Sequence, residues 1–334
     1  MGYRVLSKYR AELMGLAMLW VMAFHAVDLD LGLSALNQIR AAGFGGVDVF
    51  LLLSGVGLVM SLERREQDYG AFLRRRAERL LPAYYVVMLP YTLYLIVHDG
   101  VWSTALLWNS TLLYYWVQCK GAFNWYVAGA MIFYALTPPC WRFLRTRRRR
   151  EAWVLLGCAA GLAVCQWLMQ VGYWQYLDVF YRVPIFFVGL LIGLYCAEDR
   201  PLTGKSAALW ALCFAAGTGY AAFVRSGIEV SPWYVMLCHA FLFTTVPGCL
   251  ACCVLFEKLP LGAPRRLLRL IGENSLEIYL LNVSVFSRVA ELRVYSVFGP
   301  SNRLWYLLQF AVNIALGCLL HRAMETIKRR RSHT

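Results

Sequence analysis

Residues 43–58 read GFGGVDVFLLLSGVGL, a run apolar enough to enter a membrane as a helix, yet Asp48 sits within its first six positions. A carboxylate in hydrocarbon is costly, so the position is either functional or paired. Composition decides the solvent. Of 334 residues, 60% are hydrophobic and 16% charged, with a mean hydropathy of +0.53, more apolar material than a soluble core can hide. Stretches such as 153–171 carry no charge over the length an α-helix needs to cross a bilayer. The chain is expected to be an all-α, polytopic integral membrane protein forming one domain over residues 1–334.

The net charge of +14 raises the possibility of nucleic-acid binding, but the basic residues are scattered in short clusters between apolar spans, not gathered on one soluble face. These clusters occupy 4–10, 64–79, 145–150, 200–205, 265–269 and 328–331. If all are cytoplasmic anchors, neighbouring clusters are separated by even numbers of crossings. Pairs of spans fit most intervals: 12–29 with 43–61, 152–171 with 180–198, 206–225 with 233–256, and 270–290 with 303–322. Between the second and third clusters lie 80–98 and 124–144, with a third apolar stretch, 104–118, that would break the parity. It carries Asn109, Ser110 and Thr111 and reads as a re-entrant or interfacial segment. The expectation is about ten transmembrane helices with both termini cytoplasmic, in the cell (plasma or inner) membrane. No cleavable leader is expected, because 12–29 is too long for one.

On this topology the first helix runs outward and the second inward, which predicts His25 and Asp48 at similar depth in the outer half, near enough to meet. A neutral imidazole oriented by a carboxylate is a general base for an alcohol. Asp28, three residues on, is a second candidate partner on the same helix face. On the inner side, FLRRRAERLLPAYY (72–85) crowds arginines at the mouth of the third helix. Arg76 and Arg79 share a face there and suit phosphate groups; the competing reading makes them topology anchors or contacts to anionic headgroups. In IGENSLEIYLLN (271–282), Asn274 and Glu277 have capping-box spacing, and Asn282 is an amide that needs a partner across the bundle. His98 and His239 are expected at the outer boundary without a charged partner. Cys249, Cys252 and Cys253 have a metal-like spacing but no second ligand cluster, so no metal is expected.

Together these stretches resemble the membrane-bound acyltransferase-3 family, ten-helix enzymes that O-acylate envelope glycans. The carriers are GLAMLWVMAFHA ending near His25, GGVDVFLLLSG (45–55), RAERLLPAYY (76–85), NWYVAGAMIFYALTP (124–138) and GENSLEIYLLN (272–282), in the family's order along nearly the whole chain. The resemblance implies that His25 is the catalytic histidine, Asp48 the acidic residue of the second-helix motif, and Arg76 with Arg79 the R-x-x-R motif that handles acyl-CoA. Asp28, Trp125, Glu277 and Asn282 are supporting candidates. It implies acyl-CoA, acetyl-CoA first, as a donor substrate and not a bound cofactor, an envelope glycan or glycolipid as acceptor, membrane lipid as surroundings, and no nucleic acid. Four positions depart from the family pattern: Met14 stands where an arginine eleven residues before the histidine is common, Ala130 and Met131 where glutamates follow the fourth-helix Trp, and Asn282 where the ninth-helix motif often ends in His. The rival functions are a transporter or exporter of a small anion or glycan precursor, and a catalytically silent scaffold.

Overall fold

The computed structural model describes residues 1–65, 68–118, 125–231, 233–291 and 302–332; Asn124, which opens the fourth-helix stretch, lies outside them. The main helices are α1 (Arg10–His25), α2 (Gly46–Arg64), α3 (Tyr69–His98), α4 (Trp125–Thr146), α5 (Arg150–Gln170), α6 (Val183–Ala197), α7 (Gly204–Arg225), α8 (Cys238–Lys258), α9 (Gly262–Glu273), α10 (Ser275–Leu281) and α11 (Arg303–Ser332). Among the described residues there is no β-strand, only isolated bridges. Seven helical stretches are long and apolar enough to cross a membrane: Gly43–Arg64, Tyr69–His98, Arg150–Gln170, Trp174–Ala197, Gly204–Arg225, Cys238–Lys258 and Arg303–Arg330. The other three expected spans are helical too, as α1, α4 and the α9–α10 pair that meets at Asn274, but they are not among the seven.

The segment 104–118 forms two short helices, Ala105–Ser110 and Tyr114–Gln118, neither able to cross. Side chains of α3 hold it: Tyr84 Oη donates to the Asn109 carbonyl at 3.0 Å, and Asn109 Nδ2 donates to Thr92 Oγ1 at 3.0 Å. Of the polar residues that disqualified this stretch as a span, Asn109 thus serves as an attachment point, while the Ser110 and Thr111 hydroxyls donate to carbonyls within the segment.

The basic clusters gather at one end of the bundle. Tyr3 N donates to the Arg200 carbonyl at 3.1 Å. Lys8 pairs with Glu257 at 3.0 Å, Arg145 with Glu63 at 3.6 Å, Arg150 with Glu198 at 2.5 Å and Arg269 with Glu12 at 2.6 Å. These links join the segments around 4–10, 64, 145–150, 200 and 265–269, as an even number of crossings between them requires.

Close helix approach builds the interior. In hydrocarbon, helix association rests on packing and not on the hydrophobic effect, so small residues mark the contacts. A Cβ at Gly189 of α6 would lie 2.6 Å from the Leu52 carbonyl of α2, and one at Gly55 would lie 2.9 Å from Gly189. The α1–α9 crossing is tighter: a Cβ at Gly15 would fall 1.9 Å from the Leu268 carbonyl, and one at Gly272 would fall 1.8 Å from that of Ala11. Both obstacles are backbone, which no side-chain rotation relieves. Gly272→Ala is therefore expected to cost at least about 1–3 kcal/mol by overpacking, read as a lower melting temperature in detergent. Gly219→Ala, with nothing within 4 Å of its added methyl, is expected to melt no lower than the parent.

Candidate active site

Asp48 is 3% exposed and its partner is Arg182, also 3% exposed. Arg182 Nε lies 3.8 Å from Asp48 Oδ2. The guanidinium is further held by donating to the backbone carbonyl of Asp178, and to that of Phe44 at 3.4 Å. The Trp125 ring lies 4.5 Å from its central carbon, a cation–π contact that strengthens once water is excluded. Trp125, a supporting candidate from sequence, is thus part of this buried charge pair. Arg182 itself escaped the sequence reading. Its signal was present: an ionisable residue at the head of an apolar span, subject to the reasoning that singled out Asp48.

His25 does not meet Asp48. Gly43 packs against Trp20 and Gly46 against Ala17, and Arg10 Nε donates to the Leu53 carbonyl at 3.0 Å, so α1 and α2 share one antiparallel register. On that register Asp48 lies level with Gly15, ten residues before His25 and about 15 Å along the axis. The expectation of similar depth fails because it rested on span boundaries and ignored the hairpin's offset, which the glycine contacts set. Asp28 is not on His25's face either: α1 ends at His25, and Asp28 is exposed beyond it, its carbonyl accepting from Asn302 Nδ2.

The partner of His25 is Asn282, with Nδ1 2.6 Å from Oδ1. An amide oxygen only accepts, so Nδ1 carries the proton and Nε2 keeps its lone pair, the tautomer a general base needs. Asn282 opens a single π-helical turn, Asn282–Phe286, a feature frequent at functional sites. Met22, His25, Asn282, Phe286, Tyr306 and Gln309 line a cavity of about 10 Å³, room for about one water. The amide that departs from the family's histidine is the group orienting the catalytic candidate, and the partner expected for it across the bundle is found.

Toward the basic end lies a cavity of about 1030 Å³ whose walls include Arg10, Arg64, Arg75, Arg76, Arg79 and Arg269. Its lining carboxylates are Glu12 and Glu273, and Glu12 is bound to Arg269 at 2.6 Å. So many guanidiniums around one space give it a positive potential. Arg76 and Arg79 are brought together on its wall, as their spacing predicts. Met14 lines it too, and Arg10 stands one turn nearer the basic end on the same face of α1, so α1 still presents a guanidinium to this space. Arg10 was missed because it reads as an anchor.

Glu277 departs from the capping reading. Asn274 makes no side-chain cap, its Nδ2 donating instead to the Leu270 carbonyl at 2.6 Å. Glu277 pairs with His321 of α11, 3.0 Å from Oε1 to Nδ1, and His321 lines the cationic cavity. Helix α9 runs directly into α10, and the Asn274 N–H that a box would satisfy already donates to the Gly272 carbonyl. His98, expected without a charged partner, pairs with its neighbour Asp99 at 2.7 Å; His239 faces Tyr220 Oη at 3.2 Å. Ala130 is buried in the core and Met131 half-buried. Among the described residues no group of three or more His, Cys, Asp or Glu side chains is placed to hold a metal ion.

The helical bundle thus carries a His–amide pair in its interior and a cationic cavity at one end. The model of the acyltransferase-3 family, described as an acyltransferase domain, matches residues 13–322. The chain belongs to that family and is a membrane acyltransferase. No curated protein and no solved structure matches it.

Breaking a buried pair by removing one partner leaves an uncompensated charge, at a cost of about 3–5 kcal/mol. Asp48→Asn and Arg182→Gln are each expected to lower thermal stability in detergent, and the double variant is expected to lose less than the sum of the singles. An additive double-mutant cycle would show that the two charges do not interact.

Proposed function

We propose that this acyltransferase takes an acyl group, acetyl first, from cytosolic acyl-CoA and passes it to a hydroxyl of a cell-surface glycan or glycolipid. The observation that carries this reading is the cavity walled by Arg10, Arg76 and Arg79. Phosphate-rich CoA is an activated acyl carrier whose charge and bulk suit such a space, which is at the upper end of ordinary ligand pockets in size. In this reading the basic end faces the cytoplasm, Arg76 and Arg79 hold CoA phosphates, and the thioester reaches toward His25. His25 Nε2 takes the proton of the attacking hydroxyl while Asn282 holds Nδ1–H in place. The hydroxyl oxygen bonds to the acyl carbon, the C–S bond breaks, and CoA leaves as the thiol after recovering the proton. Asp48 keeps Arg182 neutralised inside the bundle and has no step in the transfer.

His25→Ala is expected to lower glycan acetylation in cells by about 10²–10⁴-fold, the usual worth of a general base, with protein level unchanged. Asn282→Ala is expected to lose less than His25→Ala, since it frees the ring without removing it. Full acetylation by the His25 variant would exclude it as the base. Arg76→Ala and Arg79→Ala are expected each to weaken acetyl-CoA binding to purified protein, more so at low salt; unchanged affinity would leave them as anchors. Acyl-CoA-dependent thioester cleavage by membranes separates transfer from transport.

A further inference from the structure

In α11 the buried residues are Tyr306, Gln309, Asn313 and Gly317, spaced three, four and four, while most of the helix is exposed. This narrow stripe faces the chain around α10: Gln309 Nε2 donates to the Phe286 carbonyl at 2.9 Å, and Gly317 packs on Ile278. The register these contacts set places Asn313 level with Asn282, the partner of His25. One turn outward, Gln309 lines the His25 cavity; two turns the other way, His321 lines the cationic cavity.

Asn313 is fully buried, and among the described residues neither its Nδ2 nor its Oδ1 has a hydrogen-bond partner; Gln309 Oε1 is likewise unpaired. A buried amide with both ends unmet costs stability, and at this position a leucine would serve packing better. Its chemistry calls for a group offering one N–H and one C=O together.

We propose that Asn313 binds the pantetheine amide nearest the sulfur of the acyl donor, which rests on the acyl-CoA reading above. Distances agree. From His321 to Asn313 is eight residues, about 12 Å along α11, and from Asn313 to Gln309 is four more, about 6 Å. In the donor, the arm from phosphate to that amide has the length of about three to four extended residues, roughly 12 Å, and the thioester carbon lies roughly 5 Å beyond. With phosphates among the arginines and this amide on Asn313, the thioester arrives at the level of Gln309 and the His25 cavity. Asn313 is a donor-binding residue, distinct from His25. Gly317 packs on Ile278 between the levels of His321 and Asn313, and Asn313 lines neither cavity, so this binding requires the donor arm to part α11 from α10 there.

The test uses the full chain in detergent, with acetyl-CoA and with the nucleotide half of CoA that lacks the arm as probes. Asn313→Leu is expected to weaken acetyl-CoA binding about tenfold, to raise the donor KM more than it lowers kcat, to leave the nucleotide half bound as in the parent, and to melt no lower without ligand. Unchanged acetyl-CoA affinity overturns the assignment while the donor reading stands. A variant that melts lower and loses both probes makes Asn313 structural and overturns it as well. A parent protein that binds neither probe removes the donor reading itself, and the assignment with it.

Discussion

Lipid hydrocarbon offers no hydrogen bonds and no counter-ions, so a polar side chain carried into this bundle is costly unless another group meets it. The pairs that result span large separations in sequence: Asp48 with Arg182, Glu12 with Arg269, Glu277 with His321, His25 with Asn282. Each ties helices together that apolar contact alone would leave free to slide. Together they dictate which face of each helix turns inward, and the position of the reactive groups follows from that.

The glycine contacts work with this constraint. Because α1 meets α9 at backbone distance through Gly15 and Gly272, Glu12 and Arg10, near the start of α1, are carried to the wall of the cationic cavity, while His25 at its end reaches Asn282. One helix therefore connects the two chemical environments of the molecule. The basic end is crowded with like charge whose repulsion is only partly relieved by Glu12, Glu63, Glu198 and Glu257. The interior pair of His25 and Asn282 has the opposite surroundings, a small cavity whose other lining side chains are uncharged.

Met14 and Asn282 take on a different meaning in three dimensions. Met14 removes a charge from one turn of α1, but Arg10 presents one from the turn below to the same space. Asn282 replaces a titratable ring with an amide that has one acceptor oxygen aimed at His25, which settles the tautomer without adding a second base.

What the sequence determined by itself follows from one-dimensional properties. Hydropathy over a bilayer's thickness marked the helices, seven of which are long and apolar enough to cross a membrane, polar residues in 104–118 argued against a crossing there, and the three-residue spacing of Arg76 and Arg79 put them on one face. His25 stood out as an imidazole at the end of an apolar helix. What only the tertiary structure decided were the partners. Asp48 looked like the companion of His25 because both sit near the turn between adjacent spans, but the offset between α1 and α2 is set by where glycines let backbones touch. Glu277 looked like a cap because local spacing is all a sequence shows, while its partner lies on α11. Arg10 and Asn313 carry no local pattern that separates them from anchors or ordinary helix residues, and Arg182, though ionisable at the head of an apolar span, shows nothing locally of its partner. Pairing across a bundle depends on register and rotation between helices, which arise from packing and are not written in any single segment.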